Sequence, residues 1–258
     1  MLGKKIPVFE KGTVLSHEML ENLKDISMDY IRTNYQNYAN GIISGFDIKA
    51  VNDTIIVGKG MFVFNQEVFV ISNETNVTIR PTGQWQILAI KVSESYREKN
   101  FVATDIEIEV SASTDIGDDI IEICRFKLQD GASLRINYRD FYDMNTEFDT
   151  VNIIHSKWSA YNGDSVSKSI LEKFADGMLK QNSSNPLDID FVSKVLALDG
   201  KTMNRKAISY YISMRLERTY SELDNFEIYK ALCEILRNSK SGGRREPAFR
   251  EHRRIIVD

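Results

Sequence analysis

Asp105-Ile106-Glu107-Ile108-Glu109-Val110 alternates acid and aliphatic residue by residue. A period of two puts the three carboxylates on one side of an extended chain and Ile106, Ile108 and Val110 on the other, giving a strand with one solvated and one buried face. On either side of it, Gln86 to Val92 and Ile120 to Leu128 are more continuously apolar, as strands covered on both faces are. Turn chemistry separates further short apolar runs at Asn52-Asp53, Gly58-Lys59-Gly60, Asn65-Gln66, Asn73-Glu74 and Asp130-Gly131. Residues 41–145 are therefore expected to form a β-rich domain, with Gly58-Lys59-Gly60 as a hairpin turn. Covered inner strands favour an antiparallel β-sandwich or barrel-like shell over a single open sheet. No βαβ alternation is visible.

The period is helical at both ends of the chain. Ser16 to Tyr38 carries Met19, Leu23, Ile26 and Tyr30 in one row and Ile31, Tyr35 and Tyr38 in another. Ser16 is the candidate N-cap, Glu18 and Glu21 complement the helix dipole, and Asn40-Gly41 offers residue types that stop a helix. After an irregular segment, 146–164, read as a linker, Val166, Ile170, Phe174 and Met178 restore the helical period. Leu187 to Leu198, Met203 to Glu217 and Ser221 to Arg237 continue it, so residues 165–237 are expected to form a helical bundle. The division expected is an N-terminal extension and helix (1–40), the β-domain (41–145), the linker (146–164), the bundle (165–237) and a basic arm (238–258). The fold class is α+β. The arm opens on Ser241-Gly242-Gly243, carries Arg244, Arg245, Arg250, Arg253 and Arg254, and then Ile255-Ile256-Val257. It reads as a solvated tail or as a segment that adds a strand to a neighbouring subunit.

The 258 residues are 42% hydrophobic and 27% charged, which is ordinary for a globular protein. Cys124 and Cys233 lie far apart in apolar patterns and read as buried thiols. No run of about 18 apolar residues occurs and no secretory leader is visible, so neither a membrane span nor export is expected. The first 150 residues hold 15 Lys+Arg against 23 Asp+Glu, and the remainder 18 against 14. Such a charge dipole argues against a nucleic-acid binder, whose footprint is a broad basic face, and suits contact with other proteins.

Catalytic chemistry finds little support. His17, His155 and His252 have no partner at metal-ligand spacing, so neither a metal nor a cofactor is expected. Gly58-Lys59-Gly60 lacks the Lys-Ser/Thr and helix of a phosphate loop, and Ser44 in Gly41-Ile42-Ile43-Ser44-Gly45 lacks the spacing of a nucleophile elbow. Asp115, Asp118, Asp119 and Glu122, with Lys127 downstream, could be read as a nuclease-like or calcium-binding cluster, but they fit a solvated acidic turn better. Trp85 and Trp158 could stack on sugars in a carbohydrate- or receptor-binding module, with Trp85 better placed as core.

Two segments carry a resemblance. Glu10-Lys11-Gly12-Thr13-Val14-Leu15-Ser16-His17-Glu18-Met19-Leu20, running into a long helix and then a β-domain, resembles the entry of the baseplate adaptor subunits of type VI secretion systems and contractile phage tails. Ile123-Cys124-Arg125-Phe126-Lys127-Leu128-Gln129-Asp130-Gly131-Ala132-Ser133-Leu134-Arg135-Ile136, ending in Tyr138-Arg139-Asp140, looks like the closing hairpin of baseplate and tail-appendage proteins. The resemblance implies a structural, non-enzymatic baseplate subunit, trimeric, joining other baseplate or tail-fibre proteins. Its place would be the bacterial cytoplasm during assembly and then a phage tail or tail-like bacteriocin particle. No room is visible after the bundle for a further membrane-docking domain, so membrane contact is not expected. The interface residues expected on this reading are Leu15, Met19 and Leu23 on the first helix, Trp158, and Arg244, Arg245, Ile255 and Ile256 in the arm.

Overall fold

The computed structural model describes residues 6–113, 117 and 120–239. In chain order the elements are α1 (His17–Tyr35), β1 (Gly41–Gly45), β2 (Ile48–Val51), β3 (Thr54–Val57), β4 (Gly60–Phe64), β5 (Glu67–Ile71) and β6 (Thr75–Thr78). There follow β7 (Trp85–Val92), β8 (Tyr96–Glu98), β9 (Phe101–Ala103), β10 (Ile106–Ser111), β11 (Ile120–Lys127), β12 (Trp158–Ala160) and β13 (Gly163–Ser165). Four helices close the described chain: α2 (Lys168–Gln181), α3 (Pro186–Leu196), α4 (Arg205–Arg215) and α5 (Asn225–Ser239). The class is α+β.

The alternating stretch is β10, whose aliphatic side chains are half-buried and whose acids are exposed. It pairs with the apolar β7, Ile108 opposite Ile90, and β7 is covered on its other edge by β11. A second sheet runs β13-β12-β1-β4-β5, a third β2-β3-β6, and β8 pairs only with β9. All neighbours are antiparallel except β1 and β12, which run parallel with Ile42 opposite Trp158. Among the described residues no sheet closes on itself, so the shell is layered and not a barrel. Its core draws Ile42 and Phe62 from the five-stranded sheet, Ile55 and Val77 from β3 and β6, and Ile90 and Phe126 from β7 and β11.

Two turns form as their residues dictate. Asn52 joins β2 to β3 with a positive φ, and Asn65-Gln66 joins β4 to β5 with both φ positive, the geometry that matches the twist of a tight hairpin. Gly58-Lys59-Gly60 is not a hairpin turn, because β3 belongs to the β2-β3-β6 sheet and β4 to the five-stranded one. The chain crosses between sheets there, beside the crossing from β1 to β2. Gly58 N donates to Asp47 O at 2.8 Å and Phe46 N to Lys59 O at 2.9 Å, tying the two crossings into a corner. Gly45 has φ +76°, and a Cβ on it would lie 2.1 Å from Lys59 O; a Cβ on Gly60 would lie 2.3 Å from the Phe46 ring. Alternation and turn residues alone cannot distinguish a corner from a hairpin.

The expected closing hairpin after β11 is also absent. Beyond the Asp130-Gly131 turn, Arg135 pairs in parallel with Thr150, while Arg125 pairs with Asn152. Residues 146–164, expected as a linker, are built into the body. Val151 and Trp158 belong to the shell core and Ile154 to the core of the bundle, and Trp158 to Ala160 form β12. Polar residues in this stretch are buried but bonded: Ser159 Oγ donates to Ala39 O at 2.6 Å, and Asn152 Oδ1 accepts from Ile154 N at 2.9 Å. Such pairing makes burial of polar side chains tolerable and hides a buried segment from a hydropathy reading.

The bundle is a ring in which α2 and α4 each touch α3 and α5. Asn182 ends α2 in a left-handed conformation; Asn185 and Asn204 cap α3 and α4 by accepting from Leu187 N and Lys206 N. Phe174 is fully buried at its centre, with Phe141, Phe191 and Tyr211 around its ring at centroid distances of 5.8, 6.0 and 6.2 Å.

Under the bundle, a 3-10 turn (Tyr142–Asn145) holds the buried Asp143. Its carboxylate accepts from both terminal nitrogens of the Arg135 guanidinium at 2.6 and 2.8 Å, from Arg139 N at 2.8 Å and from Thr146 Oγ1 at 2.9 Å. The Arg135 bonds lead in holding its carboxyl well below the usual carboxylate range, against the opposing effect of burial. A depressed folded value contributes stability that is complete above the unfolded carboxylate range, near pH 4, and is lost as pH falls through the folded value. Asp143→Asn is accordingly expected to cost about 2–3 kcal/mol at pH 7. It should also flatten the fall in melting temperature between about pH 5 and 3, as read by calorimetry across pH. Parallel acid limbs in the two proteins would refute this.

Candidate interaction surface

Helix α1 begins where the sequence supplies a cap: Ser16 Oγ accepts from Met19 N at 3.3 Å, and Glu18 lies in the first turn. The helix ends at Tyr35, three residues before the expected Tyr38, because the following backbone pairs with the turn after β12 and the start of β13. Asn162 N donates to Asn37 O at 2.8 Å and Ala39 N to Gly163 O at 3.4 Å. The Tyr38 ring stands edge-on to Tyr35 and Tyr161, at 5.0 and 6.2 Å. The C-terminal end of α1 is thus fixed to the sheet, and the helix lies against β5.

None of its 19 residues is buried. Met19, Leu23, Ile26 and Tyr30 follow one another at intervals of four, three and four, the spacing of a seam that helices use against one another. Met19 is half-buried, whereas Leu23, Ile26 and Tyr30 are 43%, 41% and 73% exposed. Leu15 and Leu20 are exposed beside this row, and Ile6, Val8, Phe9 and Val14 are exposed in the segment before the helix. Scattered apolar side chains are normal on a surface, but a contiguous row is what marks an interaction face.

A second apolar projection was not legible as a surface in the sequence. The β8–β9 hairpin turns at Lys99-Asn100, with Lys99 at φ +46°, and leaves Phe101 and Val102 72% and 80% exposed. An isolated two-stranded hairpin is marginal in water; here Ser95 Oγ bonds Thr104 Oγ1 at 2.7 Å and Tyr96 OH donates to Asp105 at 3.2 Å across its base. The signal that could have shown it is a turn pair set between two very short runs, too short to reach the covered sheets.

Of the residues expected at an interface, Leu15, Met19 and Leu23 lie on this apolar surface. Trp158 does not: it is 7% exposed, inside the shell core, and presents no ring for a sugar or a partner. A three-residue strand, Trp158-Ser159-Ala160, preceded by Ser156 and Lys157, carries too little hydrophobic pattern to reveal itself. Arg244, Arg245, Ile255 and Ile256, with the rest of the arm beyond Ser239, lie outside the described residues. Trp85 is half-buried at the start of β7.

Of the acidic group, Asp115, Asp118 and Asp119 lie outside the described residues. Glu122 is 2% exposed and accepts two bonds from Arg125, both at 2.7 Å. Lys127 pairs with Glu147 at 2.7 Å and sits over the Phe148 ring. A cleft where shell meets bundle gathers His155, Arg125, Asp164, Arg205 and Asn225. Here too the acid is held by an arginine, since Arg205 grips Asp164 through two nitrogens at 2.7 and 2.8 Å. His155 stacks on Phe226 at 5.6 Å, and burial, with Arg125 adding to it, pushes its pKa below the usual histidine value. Burial pushes the thiols of Cys124 and Cys233 up, so neither is a thiolate at neutral pH. Among the described residues no group of three or more His, Cys, Asp or Glu side chains could hold a metal ion, and no helix is long and apolar enough to cross a membrane.

No family model matches the chain, and no curated protein matches it in sequence. Among solved structures it is similar to a crystal structure of TssK, with a TM-score of 0.45 and 9% identity over 93% of this chain and 70% of that one. It is also similar to a chain of the TssK-TssF-TssG baseplate subcomplex of the type VI secretion system seen by cryo-electron microscopy (TM-score 0.40, 6% identity, 93% of this chain and 99% of that one). A third likeness is to the baseplate complex from the type VI secretion system (TM-score 0.35, 8% identity, 91% and 100%). These three are type VI secretion baseplate structures, at a distance that leaves the function of this chain to be argued from its own surface.

Proposed function

We propose that this chain is a structural baseplate subunit of a contractile phage tail or tail-like bacteriocin particle. It self-associates as a homotrimer through α1 and the shell, and links the baseplate to fibres or other tail proteins. The observation that carries the reading is the uncovered apolar row on α1, a helix fixed at one end and buried nowhere. A face of this kind is stable in water when a neighbour covers it. The resemblance of residues 10–20 to the entry of baseplate adaptors supplies the particle and the threefold number. On this reading the protein performs no catalysis and takes no cofactor, nucleic acid or membrane as partner.

The test is light scattering across a concentration series, on the full chain and on the double variant Leu23→Glu, Ile26→Glu. The full chain is expected at three times the monomer mass. The variant is expected to be monomeric, with its melting temperature and circular dichroism close to wild type, because both residues are exposed. A full chain that stays monomeric in concentrated solution refutes self-association, and a trimer unaffected by the double substitution removes α1 from the interface.

A further inference from the structure

Between the shell and the bundle lies a cavity of about 220 Å³ with two unlike walls. The shell side is apolar, with Ile42, Phe46, Ile123, Ile153 and Trp158 among its residues. The bundle side is the start of α2, with Ser167, Lys168, Ser169 and Lys173.

The polar groups on this wall are unpaired. Ser167 stands at the N-cap of α2, yet its hydroxyl caps no amide and has no other hydrogen-bond partner among the described residues. It is 2% exposed. The hydroxyl is not sealed off but opens into the cavity, where a bound group can pair with it. Two other hydroxyls at the cavity are paired: Tyr138 OH donates to Val151 O at 2.7 Å, and Ser156 Oγ donates to Ile123 O. Lys168 and Lys173 are half-buried, and neither has an acidic partner among the described residues. No acid lies in the first turn of α2. The single carboxylate among the lining residues, Asp47, is exposed.

A helix N-terminus without a cap presents free amides and a positive dipole end, which favour an anion. With a hydroxyl that caps nothing and two lysines without an acidic partner among the described residues beside it, the wall has donors and positive charge, and the one lining carboxylate, Asp47, is exposed. Facing it is a surface that favours an apolar group. An empty cavity of about 150 Å³ holds benzene, so this one has space for a ring or a short branched chain. We propose that the cavity binds a small carboxylate carrying an apolar body. Its head accepts from Ser167 and the first turn of α2 between Lys168 and Lys173, and its body lies against Phe46, Ile123 and Trp158. Inorganic phosphate lacks the body and a neutral alcohol lacks the charge, so the two walls together select for a molecule with both. No residue of α1 lines the cavity, and the site stands or falls independently of self-association.

Calorimetric titration of the full chain with 3-phenylpropionate, 3-phenylpropan-1-ol and inorganic phosphate tests this. The carboxylate is expected to bind saturably at one site per chain, with the alcohol and phosphate at least about tenfold weaker. Lys168→Gln with Lys173→Gln should weaken the carboxylate about tenfold. Ser167→Ala should weaken it several-fold without lowering the melting temperature, since the hydroxyl caps nothing. Asp47→Asn should strengthen it. The proposal is overturned if 3-phenylpropionate shows no saturable binding up to about 10 mM, if phosphate binds as well as the carboxylate, if the alcohol does, or if the lysine substitutions leave the affinity unchanged.

Discussion

Gly45→Ala is expected to destabilise the protein by more than about 4 kcal/mol, or to prevent it from accumulating folded. The residue has φ +76°, and an added Cβ would meet Lys59 O at 2.1 Å, Gly60 Cα at 2.7 Å and Lys59 C at 3.0 Å. All three are backbone atoms, so no side chain can swing aside. A left-handed conformation costs an L-residue about 1–2 kcal/mol, and the rest of the loss comes from forcing apart two crossings held by Phe46 N to Lys59 O and Gly58 N to Asp47 O. Gly83→Ala is the control: Gly83 has φ +62° but no heavy atom within 4 Å of its Cβ position. It should cost only the conformational term, about 1 kcal/mol. Urea unfolding of both variants separates the terms, and similar losses at Gly45 and Gly83 would show that the corner yields freely.

Asp188→Ala is expected to cost about 3–5 kcal/mol, the loss typical when one member of a buried charged pair is removed. Asp188 is 1% exposed in the first turn of α3. It accepts from Arg215 Nε at 2.8 Å, Tyr211 OH at 2.8 Å and Ser183 Oγ at 2.7 Å. Truncation therefore strands a guanidinium and two hydroxyls at the meeting of α3 and α4. Burial, with Asp188 beside it, pushes the Tyr211 phenol up, so it stays protonated and donates throughout the neutral and mildly alkaline range. Asp188→Asn keeps the shape and one acceptor oxygen and should lose about half as much. Chemical denaturation measures both; equal stability of Asp188→Ala and wild type would mean that the carboxylate is dispensable to the bundle. Because Asp188 is remote in sequence and element from α1, neither variant should change the oligomeric mass of what remains folded.

Where the chain has a single exposed and a single buried face, periodicity was enough. β10 and the four bundle helices follow from it, and the Asn52 and Asn65-Gln66 turns follow from residues that tolerate positive φ. Failures cluster where tertiary pairing overrides local pattern. Tyr38 continues the helical row of α1 but is taken by Tyr161 and Gly163. Gly58-Lys59-Gly60 has hairpin composition but joins strands of different sheets. Trp158, set among Ser and Lys, is a core residue because Ile42 faces it from more than a hundred positions away. The surface itself was half legible. Leu15, Met19 and Leu23 stood out through helical spacing. Phe101 and Val102 did not, since an exposed apolar pair in a strand reads the same as a buried one. The α2 wall was invisible, because nothing in Ser167-Lys168-Ser169 reveals that its donors lie unpaired against an apolar cavity.

The parallel pairing of β1 with β12 constrains how the molecule is made. β1 leaves the ribosome well before β12, yet one of its edges stays open until residues 158–160 have emerged, since parallel strands need a long connection. The shell therefore cannot complete strand by strand behind the ribosome. It must hold an unsatisfied edge through more than a hundred residues of synthesis, and contacts of such separation are slow to form and exposed to misassociation meanwhile. A nascent chain that has emerged only as far as Lys157 would present β1 to any passing strand; one that has emerged beyond Ser165 would have closed that edge with its own.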